Sequence, residues 1–139
     1  MAAPDDLLYE YAVIRYVPRI DREEFVNIGV VMMNKRHKWL KGRVMIDDER
    51  IKALHPHSNI EQLKKQSCLF ELKDVPSAHL PVEEKYRWLT AVKNGSLQVS
   101  PSHPGILKAE GIDPQSLDKG QIHSMMEDEF QRLFSILIL

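Results

Sequence analysis

Along this chain the apolar residues first recur every second position and later every third or fourth, which separates a sheet-forming first third from a largely helical remainder. Leu8 to Val17 predicts a strand, with Tyr9, Tyr11, Val13 and Arg15 on one face and Leu8, Ala12, Ile14 and Tyr16 on the other. Phe25 to Met33 predicts a second strand. Its Val30-Val31-Met32-Met33 run is apolar on both faces, as expected of a strand in the middle of a sheet. The turn residues Asn34-Lys35-Arg36 lead into a third strand, Trp39 to Ile46, so that the three form an antiparallel β-meander.

The later pattern is helical. Asp47 is placed to cap a short helix with Ile51 and Leu54 inward, ended by His55-Pro56. Ser58 and Glu61 have capping-box spacing ahead of a face formed by Ile60, Leu63, Ser67 and Phe70, which predicts a helix to about Leu72. Pro81 suits a first helical position and Gly95 a C-terminal stop, with Tyr86, Leu89 and Val92 as the inner stripe. Leu97 to Val99 predicts a fourth strand and Ser100 to Gly105 a loop, while Ile106 to Lys119 carries no clear period. From Gln121 onward Ile122, Met126, Phe130, Leu133 and Leu137 share one helical face, broadened by Met125 and Phe134. The expectation is a single α+β domain over 1–139: a three- to four-stranded antiparallel sheet, helices packed mainly on one face, and a C-terminal amphipathic helix.

Composition narrows the function classes. The hydrophobic fraction of 43% and charged fraction of 28% in 139 residues support an ordinary core. A net charge of −1 supplies no global field toward nucleic acid or a membrane surface. Cys68, the single cysteine, leaves no intramolecular disulfide. There is no basic, apolar leader and no run of membrane-spanning length, so the expectation is a cytoplasmic protein without membrane attachment.

Candidate chemistry is sparse. His55 and His57 form a His-x-His, but Pro56 places it in a loop, and His37, His79, His103 and His123 are scattered; no metal or other cofactor is expected. Cys68 lies in a predicted helix with Lys64 and Lys65 one turn away and reads as an inert thiol. No phosphate loop, nucleophile elbow or zinc-protease helix occurs. The acidic residues Asp47-Asp48-Glu49 and Glu83-Glu84 fall at helix starts, where they favour the helix dipole. Lys35, Arg36, Lys38, Lys41 and Arg43 surround Trp39 with no acid among them, a candidate nucleic-acid patch or a solvated hairpin tip. Ile136, Ile138 and Leu139 widen the last helix's apolar stripe beyond what one sheet face needs, a candidate interface.

The stretch Tyr11-Ala12-Val13-Ile14-Arg15-Tyr16-Val17-Pro18, with Arg22, Glu24, Asn27 and Gly29 behind it, resembles the signature of the bacterial domain-of-unknown-function family 3037. The resemblance covers the first third closely and the rest in the order of its elements. It implies a bacterial or phage-related cytoplasmic protein and no particular activity. Relatives are described beside genes for HipA-like serine/threonine kinases, which implies a partner or regulatory role. Arg15, Arg22, Glu24, Asn27 and Gly29 are candidate binding residues because Arg15 and Arg22 can grip a phosphate or carboxylate in a forked geometry. The structural alternative is that Glu24 pairs with an arginine at the sheet edge and Asn27 satisfies a loop backbone. Glu24 and Asn27 can share a face only if a bulge intervenes, and Gly29 is the residue type that marks one. The leading expectation is a non-enzymatic binding or regulatory module acting through a protein partner or as a homo-oligomer. The alternatives are a nucleic-acid-binding or nucleic-acid-processing protein, and a small phosphoryl- or carboxylate-handling enzyme.

Overall fold

The computed structural model describes residues 7–71, 80–91, 93–108, 113 and 116–139. The predicted meander is present as β1 (Leu8–Tyr16), β2 (Val26–Asn34) and β3 (Trp39–Val44). After it come α1 (Asp48–Leu54), α2 (Ile60–Ser67), α3 (Val82–Thr90), β4 (Lys93–Asn94), β5 (Leu97–Val99), β6 (His103–Ile106) and α4 (Lys119–Leu137). The sheet is wider than the sequence pattern predicts. Among the described residues it has six strands in the order β3-β2-β1-β5-β4, with β6 also pairing β1, and all pairings are antiparallel.

The added edge strand is β4, and the segment expected to be a loop supplies β6, which extends the pairing along β1 beyond β5. Val13 continues the ladder through Ser100: Ser100 donates its amide to the Val13 carbonyl at 2.8 Å, and Ser100 Oγ accepts the Val13 amide at 2.9 Å. A side-chain oxygen thus stands where a strand carbonyl would, and β6 resumes the pairing from Tyr11↔His103 onward. Pro101 and Pro104, which lack an amide proton, stand at the joint and in β6. Gly95 has φ of +58° in the β4–β5 hairpin, so its left-handed conformation serves a strand turn and not the end of a helix.

Alternation in β1 feeds two cores. Ala12, Ile14 and Tyr16 join Val31 and Met33 under α1, α2 and α3, through Ile51, Leu63, Phe70, Tyr86 and Leu89. Tyr9 and Val13 join Val30, Met32 and Trp39 beneath α4, through Ile122, Met126, Phe130, Leu133, Phe134 and Ile138. Three helices therefore share one face and the long C-terminal helix takes the other. β2 is buried without a break from Ile28 to Asn34, as its two-sided apolar run predicts.

The caps follow side-chain chemistry, with one correction. Asp47 caps α1 by accepting the amides of Glu49 and Arg50. The cap of α2 is Asn59, which accepts the Gln62 amide, and not Ser58. Ser58 is engaged elsewhere: its hydroxyl donates to the His55 carbonyl and accepts from Tyr16, each at 2.8 Å. α4 opens with a capping box in which Asp118 accepts the Gln121 amide and the Gln121 side chain accepts the Asp118 amide.

Gly42 sits where the backbone after α2 crosses β3. A Cβ built there would lie 1.9 Å from the Phe70 carbonyl oxygen, a backbone atom that moves only with its whole segment. Gly42→Ala is expected to lower stability in urea unfolding by about 1–3 kcal/mol through overpacking. Gly120→Ala in the first turn of α4, where the nearest atom is 3.4 Å away, is expected to leave stability unchanged or raise it. Equal effects would contradict the crossing.

Candidate functional site

The residues of the Arg15-to-Gly29 motif are separated by a bulge. Ile14 pairs with Gly29 and Arg15 with Asn27, leaving Ile28 as the extra residue in β2. Gly29 admits β3 closely, since a Cβ there would lie 2.4 Å from the Arg43 carbonyl oxygen. The Arg15 guanidinium lies over the Phe25 ring, 4.3 Å from its centre. Arg15 Nε and Asn27 Oδ1 are both buried without a hydrogen-bond partner, a donor and an acceptor on one register pair. Arg22 and Glu24 turn to each other instead, at 2.8 Å, with both side chains largely exposed. Among the described residues no hydrogen bond joins Asn27 to Arg22 or Glu24, so the motif does not close into one polar site.

Asn27 works at the end of α4. Its Nδ2 donates to the Leu137 carbonyl at 3.4 Å, and Arg50 Nη1 donates to the Ile138 carbonyl at 2.6 Å. The last carbonyls of a helix lack intrahelical partners and carry the negative end of its dipole, so an amide and a guanidinium there satisfy and hold that end. A small cleft of about 200 Å³ opens beside them, lined by Val26, Asn27, Met45, Arg50, Ile138 and Leu139 among others. The expected apolar group divides at this point. Ile136 and Leu139 are 64% and 63% exposed, whereas Ile138 is 3% exposed and belongs to the core.

The basic stretch also divides. Lys35, Arg36 and Lys38 are exposed at the β2–β3 turn, where Asn34 Oδ1 accepts the His37 amide at 2.8 Å and Lys38 takes a φ of +52°. Trp39, Lys41 and Arg43 point at α4. Trp39 is buried edge-on against Phe130, with ring centres 6.4 Å apart. Lys41 pairs with Glu127 and lies 5.3 Å from the centre of the Phe130 ring. Arg43 stacks at 4.4 Å on Phe134 and reaches Gln131 at 3.5 Å. In this conformation Trp39 is not presented for base stacking.

A polar group that the sequence pattern does not reveal sits on the α4 side of β1. The Tyr9 hydroxyl donates to Glu129 Oε2 at 2.6 Å, and Arg132 grips the same carboxylate with contacts of 2.5 and 3.1 Å. Arg132 holds the Glu129 carboxyl below its ordinary value, against a smaller opposing push from burial and with help from Tyr9. Burial and the Glu129 carboxylate raise the Tyr9 phenol. With Ile106, Leu107, Lys108, Met125 and Asp128 these residues line a cleft of about 540 Å³. Tyr9 and Glu129 are 120 residues apart in sequence, and no local spacing announces their pairing.

The remaining candidates stay apart. His55 and His57 have ring centres 6.3 Å apart, His103 packs on Tyr11 at 5.2 Å, and His123 Nε2 lies 2.8 Å from the His37 carbonyl oxygen. His79 is outside the described residues. Among the described residues no group of three or more His, Cys, Asp or Glu side chains is arranged to hold a metal ion. Cys68 is exposed, its thiol donating to the Lys64 carbonyl at 3.1 Å.

Residues 11–119, well over half of the chain, match the family described as Protein of unknown function (DUF3037). The chain belongs to this family. The DUF3037 span contains Arg15, Arg22, Glu24, Asn27, Gly29 and the basic hairpin, and it ends at Lys119, the first residue of α4. Basigin from Oryctolagus cuniculus is 37% identical over 60 residues, covering 41% of this chain and 22% of its own length. The chain thus matches about a fifth of that relative, too little to transfer a family or an activity. No solved structure matches the chain significantly.

The Tyr9–Glu129–Arg132 group makes stability depend on pH. A carboxyl whose folded value is depressed contributes stability above its unfolded value and loses it as pH falls through the folded one. Wild type should therefore exceed Glu129→Gln in stability above the ordinary carboxyl value of 4.5, with the gap closing below it. Urea midpoints from pH 7 to 3 measure this, and a gap independent of pH would contradict the assigned charge state.

Proposed function

We propose that the chain acts, as a single cytoplasmic domain of a bacterial protein, as a non-enzymatic binding module that engages a protein partner at the C-terminal end of α4. The observation that carries this reading is the set of large apolar side chains left in water there. Met45 and Leu139 line one cleft with Val26 and Asn27, exposed Phe25 precedes Val26, and exposed Ile136 is one helical turn from Leu139. Single exposed apolar residues are ordinary, but several at one end of a small domain have the character of an interface.

Charge narrows the partner's chemistry. Arg15 lies over Phe25, Arg50 reaches the end of α4, and Arg43 stacks on Phe134 one turn before that end. Of the acids beside the cleft, Glu24 pairs with Arg22 and Asp47 caps α1, while Asp48 and Glu49 stand exposed in the first turn of α1. An apolar segment with acidic flanks fits such a rim. The family resemblance makes a HipA-like serine/threonine kinase the first partner to test.

The nucleic-acid alternative has less support, because Trp39 is buried under α4 and Lys41 is paired with Glu127, so the basic stretch presents no aromatic for stacking. The small-enzyme alternative lacks convergence, since Arg22 and Glu24 pair with each other while Asn27 bonds to α4. As to membranes, no helix among the described residues is long and apolar enough to cross one.

The test is a pair of charge insertions at exposed positions, Ile136→Asp with Leu139→Asp. The expected result is an unchanged circular-dichroism spectrum with loss of binding to the kinase, or to whichever purified partner the wild type retains, by about tenfold or more. Sedimentation of both proteins distinguishes a second copy of the chain from another partner. Undiminished partner binding and unchanged mass in the variant would contradict the reading.

A further inference from the structure

The backbone of β3 presents an open row of hydrogen-bonding groups. Val13 gives both its amide and its carbonyl to Ser100, so it faces away from β2, and its register partner Val30 bonds to β3 opposite Arg43. Past the end of β3, Met45 donates to the Ile28 carbonyl at 2.7 Å, which gives the same alternation. Lys41 and Arg43 therefore bond to β2, and the amides and carbonyls of Leu40, Gly42 and Val44 face outward. Among the described residues none of these outward groups has a hydrogen-bond partner. The outer side of β6 differs. Leu107 donates to the Leu7 carbonyl, so the alternation turns Pro104, which has no amide proton, away from β1 and blunts that edge.

We infer that the outer edge of β3 takes up an extended segment of a partner protein as an added antiparallel strand, one whose side chains alternate between acidic and apolar. The edge carries its own backbone groups and does not depend on the surface proposed at the end of α4.

Side chains set the occupant. Neighbours on one face of adjacent strands lie about 5 Å apart. On the α4 face the added strand runs beside Lys41 and Arg43, with Lys38 exposed at the turn. No acid occurs in β3. Glu127 pairs with Lys41, whereas Lys38 and Arg43 have no carboxylate partner among the described residues. On the opposite face Leu40 and Val44 are partly buried, and Leu69 of the turn Cys68–Glu71 packs on the same core, so apolar side chains extend that floor. Glu71 ends that turn and disfavours an acid there. A second copy is the poorer occupant. Pairing β3 with β3 about Gly42 sets Lys41 of each copy opposite Arg43 of the other, and like charges directly opposite destabilise a strand pair. Charges that guard an edge against a strand of like pattern select one of opposite pattern.

A short peptide of alternating Glu and Val, acetylated and amidated at its ends, is the probe. Titrated into the full labelled chain, it is expected to shift Leu40, Gly42 and Val44 in one saturable process and to slow hydrogen exchange of their amides. With the glutamates on the α4 face, the antiparallel register aims the valine amides at β3 and the glutamate amides at solvent. N-methylation of the valine amides should therefore weaken binding by about tenfold or more, and N-methylation of the glutamate amides should leave it nearly unchanged. Lysine in place of glutamate should also weaken it by about tenfold or more. Absence of saturable shifts, shifts centred on β6 or on Leu139, or undiminished binding of the valine-methylated peptide would overturn the edge. Loss on methylating the glutamate amides would overturn the pairing geometry. Equal affinity for the lysine peptide would overturn the acidic partner, as would a chain that sediments as a dimer with the same amides protected before peptide is added.

Discussion

The structure depends on the middle of one strand pair, where water touches neither side. Val30, Val31 and Met32 have no measurable exposure, and their neighbours in β1, Ala12 and Ile14, have none either. Antiparallel sheets commonly leave one face solvated, but here successive residues of β2 enter opposite cores. Neither layer of helices is then optional. α1, α2 and α3 must cover the side of Val31 and Met33, and α4 must cover the side of Val30 and Met32. Each core residue of this kind contributes on the order of 1.5–3 kcal/mol by burial, so uncovering one face would forfeit several such contributions together.

This constraint explains why α4 carries so many specific contacts. Its buried stripe supplies the driving force, while Glu127 with Lys41, Glu129 with Tyr9, and His123 with the His37 carbonyl fix its register on the strands. The Lys41–Glu127 ion pair contributes little energy alone, about 0–1 kcal/mol, but together with the two hydrogen bonds it distinguishes one docking position from the next helical turn. The DUF3037 match ends where α4 begins, yet Asn27 of the motif bonds to the far end of that helix. Asn27 therefore has a structural task beside any binding role. The proposed partner surface lies at one end of β1 and β2, where apolar side chains reach water.

Much of this was legible in the sequence wherever one signal acted alone. Alternation placed β1 correctly on both faces, the unbroken apolar run of β2 announced its central position, and Asp47 capped the helix it preceded. Legibility failed where chemically similar groups competed. Ser58 and Asn59 both offer a capping oxygen, and Tyr16, distant in sequence, occupies Ser58. Gly95 fits a helix stop and a hairpin turn equally well from its neighbours. The prolines around Ser100 argue against a strand, and only the substitution of a hydroxyl for a carbonyl lets the ladder continue. In the candidate sites the individual residues were visible but not their directions. Lys41 and Arg43 alternate with Gly42 in the strand, and which face meets a helix was decided by α4, some 80 residues later in the chain. Ile138 is buried because the helical turn continues past Leu137, its amide donating to the Phe134 carbonyl at 2.9 Å, which keeps its side chain on the core side with Phe134.

The central claim is that one doubly buried strand pair couples both helical layers into a single cooperative unit. The chain's two tryptophans allow a direct test, because Trp39 is buried under α4 and Trp88 stands half-exposed on α3. Urea unfolding of Trp88→Phe, followed by Trp39 fluorescence and by far-ultraviolet circular dichroism, compares the α4 layer with the whole domain. Coincident transitions with the same midpoint and slope are expected if the two layers form one unit. A Trp39 transition at distinctly lower urea, with most of the circular-dichroism signal retained, would show that α4 separates from a sheet that survives without it, and would contradict the claim.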